Sequence, residues 1–418
     1  MKPPKNNIKN LSKNKRRIFK LLLIAIGVIF ALLTAEIFLR IMGYSNPMFY
    51  KTDLTRGYAL SPNIKGIYRK EGKSNVEINS DGLRDDEHQV VKPPETIRIA
   101  ILGDSYTEAL QVNLDETFWK IMQGKLHECR AFGGKNIEII NFGVSGYGTA
   151  QELITLREKV WKYSPDLVIL AVTTNNDITD NLRHFKKTEI PYFVYRGNRL
   201  ELDESFRESK TFQFNNTILS KAGGWLRDNL RVVQAILEVQ IYLKYKISEW
   251  KNKPAGNSQN ALQMLALQQQ EAPKVEDIGI DHQIYRIPKD EYWNDAWRVT
   301  EGLFLSMNEE VKNKGAKFLI LTLSNGGQVH PNPAARETFA KRVGADDLVY
   351  PDKRIKDFAE SHGINVLTLA PELQTYSEKN QVYLHGFGTD IGNGHWNQAG
   401  HRATGEILAN KICQGILK

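Results

Sequence analysis

The sequence predicts an α/β protein: a mainly parallel sheet between helical layers, with an inserted helical cap and an N-terminal transmembrane helix. Three observations carry this. Apolar runs alternate with helical stretches, the rhythm breaks once in the middle of the chain, and a basic segment leads into a long apolar one.

The first run, "TIRIAILG", reads as a buried strand, followed by a helix over 107–126. "NIEIINFGV" is a second strand, with a helix over 149–162, and "DLVILAVTT" a third. After residue 300 the pattern resumes with a helix near 300–314, "AKFLILTLS", a helix at 351–362, "INVLTLA" and a final helix from about 398. Continuous apolar strands between helices are what a sheet covered on both faces requires. Between 181 and 295 the pattern changes to a long helical stretch, "GWLRDNLRVVQAILEVQIYLKYKISEW", and a Gln-rich piece near 252–275 that reads as a mobile linker. The resulting division is a first half at 96–180, a helical insertion at 181–295 and a second half at 296–418, preceded by a lead-in at 44–95.

The 418 residues carry a net charge of +8, which resembles a nucleic-acid signal until it is located. Residues 1–20 hold eight basic side chains and no acid, so the remainder is neutral and no nucleic-acid partner is implied. This leader runs into "LLLIAIGVIFALLTA", which with the residues to 43 reaches the roughly 20 needed to cross a bilayer. Basic residues before the span predict a cytoplasmic N-terminus and an extracytoplasmic remainder at the inner (plasma) membrane of a bacterial-type cell. A cleaved signal peptide shares these features, but no A-x-A site follows the apolar core, because Ala35 is preceded by Thr34 and Leu33. An uncleaved anchor over 21–43, in contact with lipid, is the preferred reading.

Chemistry in an open parallel sheet gathers at the carboxyl ends of the strands. Ser105 follows the first strand in "GDS", "GVSGYG" (143–148) follows the second, "TNND" (174–177) the third, and "GHWNQAGHR" (394–402) leads into the last helix. Taken alone, Ser105 reads as a helix N-cap. The four pieces in this order, however, resemble the blocks of the SGNH, or GDSL, hydrolase family. That resemblance implies a flavodoxin-like three-layer sandwich and a serine esterase without a cofactor, acting on an acylated glycan or another ester. It makes Ser105 the nucleophile, His395 the base, and the Ser105 N–H, Gly146 N–H and Asn176 amide the oxyanion donors, with Asp104 and Asp177 in support. The polysaccharide O-acyltransferases of the superfamily share these residues, and a catalytically idle glycan-binding protein is a third reading.

Two departures from the family pattern stand out. Thr174 replaces a usual glycine, and the positions two and three before His395 hold Asn393 and Gly392 where an acid is expected. Asp390 is the nearest acid, and Gly392 and Gly394 could fold it back toward the ring. Asn393 or a backbone carbonyl are the alternatives. "GYGTAQ" begins like a dinucleotide fingerprint but has Gln151 in place of the third glycine. Cys129 and Cys413 are too few for a metal cluster. On helices that can share one face of the sheet, they are candidates for a disulfide or remain two buried thiols.

Overall fold

The computed structural model describes residues 13–251 and 280–417, which leaves most of the basic leader and the linker expected near 252–275 outside the described residues. These residues divide into two compact units, one combining the N-terminal helix with residues 222–251 and the other holding 49–221 and 280–417.

The larger unit begins with two short antiparallel pairs, β1 (Tyr50–Asp53) with β2 (Gly57–Leu60) and β3 (Lys65–Tyr68) with β4 (Ser74–Glu77). The sheet then follows as β5 (Thr96–Gly103), β6 (Asn136–Asn141) and β7 (Leu167–Thr173); a separate hairpin of β8 (Tyr192–Arg196) and β9 (Arg199–Asp203) intervenes; and β10 (Lys317–Leu323) and β11 (Asn365–Thr368) complete it. The five sheet strands are parallel in the order β11-β10-β7-β5-β6. Counted along the sheet this is the doubly wound flavodoxin order, with its switch point between β5 and β7.

Alternation along each strand divides the core in two. Ala100, Leu102, Val168, Leu170, Val172 and Ile320 face one layer, and Ile99, Ile101, Ile169, Leu319 and Leu321 the other. Helices Thr149–Glu158, Glu291–Asn313 and Tyr350–Ser361 cover the first face; Phe118–Glu128, Ala370–Asn380 and Gln398–Cys413 cover the second. A third cluster joins Phe49, Leu60, Val76 and Ile78 of the lead-in to Leu110, Val144 and Tyr147 of the loops beyond the sheet.

Two sequence expectations need correction. The helix expected over 107–126 is two, Ser105–Glu108 and Phe118–Glu128, because Ala109 turns left-handed (φ 54°) and ends the first after one turn. The stretch 181–295 is not wholly helical, since it includes the β8–β9 hairpin, and its long helix is interrupted between Asn229 and Arg231. Helices Pro333–Val343 and Ala370–Asn380 were not expected: their outer faces are polar and give little apolar periodicity, although Asn332, Pro333 and Gly344 mark the ends of the first.

A disulfide joins Cys129 and Cys413, with Cα atoms 6.4 Å apart, at the ends of two packed helices of the second face. At the opposite end of the same two helices, His401 is buried, its Nδ1 accepts from the Phe118 backbone N–H (3.3 Å), and its ring stacks on Phe118. Burial pushes its pKa down to about 3. The folded protein therefore binds this proton only near pH 3, whereas the unfolded chain binds it below about 6.5, so this contribution to stability is lost as pH falls between those values. His401→Gln removes the linkage. In urea unfolding of the full chain in detergent, the variant's stability deficit should shrink by about 3 kcal/mol between pH 6.5 and pH 4.

Candidate active site

Asp104, not Ser105, caps the short helix after β5: its carboxylate accepts from the Tyr106 backbone N–H at 3.0 Å. Ser105 occupies the first helical position with its hydroxyl released from capping, and its Oγ lies 2.7 Å from His395 Nε2. The other ring nitrogen, Nδ1, donates to Glu71 Oε2 at 2.5 Å, and the His395 backbone N–H donates to Glu71 Oε1 at 2.7 Å. One carboxylate thus grips both the ring and the main chain of His395. Burial works to raise the Glu71 pKa, but the hydrogen bonds and charge of His395 outweigh it and hold the group below the usual carboxylate range.

Glu71 sits in the turn between β3 and β4, within the lead-in. Neither Asp390 nor Asn393 takes the ring N–H. Asp390 is exposed, Gly392 and Gly394 both adopt positive φ, and yet the loop they shape presents Asp390 to solvent. Gly394 has a different use. At φ 74° a Cβ there would run into the Glu71 carboxylate, so a side chain at 394 and the carboxylate cannot share the space.

The loop carrying His395 is fixed from below. The Gly394 carbonyl accepts from Tyr106 Oη (3.1 Å) and His385 Nδ1 (2.8 Å). His385 Nε2 pairs with Ser324 Oγ at 3.2 Å, and Trp396 Nε1 donates to the same hydroxyl at 3.0 Å. Burial pushes the His385 pKa down to about 4, so near neutrality it carries one ring proton, on the nitrogen that faces the Gly394 carbonyl.

The expected donor positions lie around the same hydroxyl's loop. The Ser105 N–H opens a helix and has no intrahelical acceptor. Asn176, at the head of helix Asn176–Thr179, spends one amide hydrogen on Asp104 Oδ2 (3.0 Å) and keeps the other. Gly146 has φ 74°, and a Cβ there would approach Tyr58 Oη to 2.7 Å. Tyr58 Oη donates to the Ser145 carbonyl at 2.9 Å, so the trans peptide turns the Gly146 N–H to the opposite side.

Asp104 also accepts from Thr173 Oγ1 (2.9 Å), and Asp177 accepts from the Thr173 N–H (2.8 Å). Burial, together with the neighbouring Glu152 carboxyl, raises Asp177 well above its usual range. Thr174 is buried and accepts from Asn325 Nδ2 at 3.3 Å.

Two further positioning groups had no sequence signal. Glu108, fully buried at the end of the serine helix, accepts from the Ser145 N–H (2.5 Å) and from Tyr50 Oη (2.9 Å), linking that helix to the Gly146 loop and the lead-in. Burial raises its pKa. Arg84, also buried, donates to the carbonyls of Glu108 (2.9 Å) and Val112 (2.5 Å). A cleft of about 530 Å³ opens beside His395, lined by Tyr106, Asn176, Asn325, His330, Phe339 and Arg342 among others. Among the described residues no His, Cys, Asp and Glu cluster is arranged to hold a metal ion.

The chain matches no protein-family model and no curated protein. Among solved structures, an α/β-hydrolase enzyme from the metagenome of Lake Arreo, Spain, overlaps 79% of this chain and 100% of its own, at 12% identity and a TM-score of 0.35. An acetylxylan esterase from Geobacillus stearothermophilus overlaps 77% of this chain and 96% of its own, at 12% identity and a TM-score of 0.36. Overlaps this loose carry no argument about chemistry, which rests on the side chains themselves.

The geometry separates the candidates for the group that orients His395. Glu71→Gln should lower ester turnover by about 10³- to 10⁴-fold with little change in KM, as expected when the carboxylate behind a histidine base is neutralised. Asp390→Asn should leave steady-state turnover of a p-nitrophenyl ester unchanged.

Proposed function

We propose that this chain is a membrane-anchored serine esterase of the SGNH type, hydrolysing O-acyl esters outside the membrane through an acyl-enzyme. The observation that carries the reading is the continuous contact from Ser105 Oγ through His395 to Glu71. In the forward step Ser105 Oγ attacks the ester carbonyl carbon while its proton passes to His395 Nε2. Glu71 holds Nδ1–H and stabilises the imidazolium that forms. The Ser105 and Gly146 N–H groups and the spare Asn176 hydrogen receive the oxyanion, each such donor typically contributing about 10² to 10³ in rate. Collapse expels the alcohol, which takes the proton from Nε2. Water, deprotonated at the same nitrogen, then attacks the acyl-enzyme and releases the acid and free Ser105.

No step in this sequence calls for a cofactor. A cleft whose lining mixes aromatic rings with Asn, His and Arg side chains suits an acylated glycan, which offers hydroxyls to the polar groups and ring faces to the aromatic ones. For the anchor, helix Lys13–Ile41 has mean hydropathy 2.6 in its most apolar stretch and buries none of it, as a span would require.

Labelling by a fluorophosphonate probe tests the nucleophile. The wild-type protein should label and Ser105→Ala should not, with ester hydrolysis lost and the fold retained by circular dichroism. Products formed from an acyl donor with and without a glycan acceptor decide between water and a sugar hydroxyl as the second nucleophile. Near-normal turnover in Ser105→Ala removes the assignment. For topology, protease added to intact spheroplasts should digest the chain beyond residue 43 while an N-terminal tag stays protected; recovery of a soluble, processed protein would replace the anchor with a cleaved signal.

A further inference from the structure

Helix Arg231–Lys251 is amphipathic in a way the proposed esterase chemistry does not use. Val232, Ile236, Val239, Leu243 and Ile247 recur every three or four residues and so form one stripe along it. Ile236 and Val239 are each 57% exposed, Leu243 52% and Ile247 51%, while the preceding helix exposes Trp225 at 61%.

The opposite side of the helix is occupied over its first two turns. Gln234 Oε1 accepts from the Asn46 N–H at 2.8 Å, and Glu238 accepts from Tyr44 Oη, so the chain leaving the apolar N-terminal helix lies along the polar side. The stripe therefore points away from that chain.

The place where this helix starts is also fixed. Glu36 Oε2 accepts from the Val232 N–H (2.9 Å), and Arg40 Nη2 donates to the Asn229 carbonyl (2.8 Å). Both partners belong to the last turns of the helix that the anchor reading sends through the membrane. The helix cannot itself span, because Arg231, Glu238, Lys244 and Lys246 interrupt its apolar character; among the described residues only Lys13–Ile41 is long and apolar enough. Lys244 and Lys246 fall on the two edges of the stripe, where cations meet lipid phosphates if the stripe faces acyl chains.

We infer that Arg231–Lys251 lies in the plane of the bilayer surface, with its Ile236–Val239–Leu243–Ile247 stripe in the headgroup–acyl boundary of an anionic membrane, as a second contact beside the span. This rests on the anchor reading, and the experiment separates the two. Full-length protein carrying a single environment-sensitive fluorophore on Ile26→Cys, Ile236→Cys, Leu243→Cys or Lys379→Cys is reconstituted into phosphatidylcholine–phosphatidylglycerol vesicles. Cys129 and Cys413 stay oxidised and take no label, and retained ester hydrolysis reports folding.

Spin-labelled lipids then quench according to depth. Probes at 236 and 243 should be quenched most by lipid labelled near the headgroup, the probe at 26 most by lipid labelled near the acyl end, and the probe at 379 by neither. Quenching at 26 without quenching at 236 and 243 overturns the inference and leaves the anchor. In that case a blue-shifted, unquenched probe identifies a second copy or another part of the chain as the cover. No quenching at any position overturns both readings; quenching at 236 and 243 but not at 26 retains the surface contact and removes the span.

Discussion

The His395 ring is oriented by a carboxylate, and in this protein that group arrives from outside the sheet's own loops. Glu71 belongs to a hairpin turn more than three hundred residues before His395 in the chain. Its reach depends on the lead-in packing against the loops beyond the sheet, through Leu60, Val76 and Ile78 on one side and Leu110, Val144 and Tyr147 on the other. It depends as well on an absence, since a side chain at Gly394 would occupy the place of the carboxylate. The small apolar cluster at the lead-in thus helps set where the Glu71 carboxylate meets the His395 ring.

The serine side is arranged with similar economy. Asp104 satisfies the helix start and also orients Asn176, so one buried carboxylate frees the Ser105 hydroxyl and aims a side-chain amide beside it. Glu108 and Arg84 fix the other end of that single helical turn, Glu108 through Ser145 and Tyr50 and Arg84 through two backbone carbonyls. A four-residue helix has little stability of its own, and these buried polar contacts replace what its length cannot supply.

Most of the sheet was legible because strands buried on both faces leave unbroken apolar runs: β5 spans the "TIRIAILG" read from sequence, and β6, β7, β10 and β11 each fall within the stretch expected for it. Strands β1 to β4 were not, each being only four residues long, too short for alternation to register. At the site, the segments bearing Ser105, Gly146, Asn176 and His395 could be recognised as local patterns. Glu71 could not, because "RKEGK" reads as a charged, solvated turn and its partner is defined only by the fold. The missing acid before His395 left the partner of its ring open among Asp390, Asn393 and a backbone carbonyl; proximity in sequence favoured Asp390, which the fold leaves exposed.

The bond between Cys129 and Cys413 closes the chain from the end of the helix after β5 to the end of the last helix into one covalent loop. Ser105 lies before that loop opens and His395 just before it closes, with the insertion between them. A peptide bond cut anywhere from 130 to 394 therefore leaves a two-chain molecule, Ser105 on one chain and His395 on the other, that cannot come apart until the sulfur bridge is reduced. In an oxidising compartment, continuity of the main chain and the Ser105–His395 contact become separate properties.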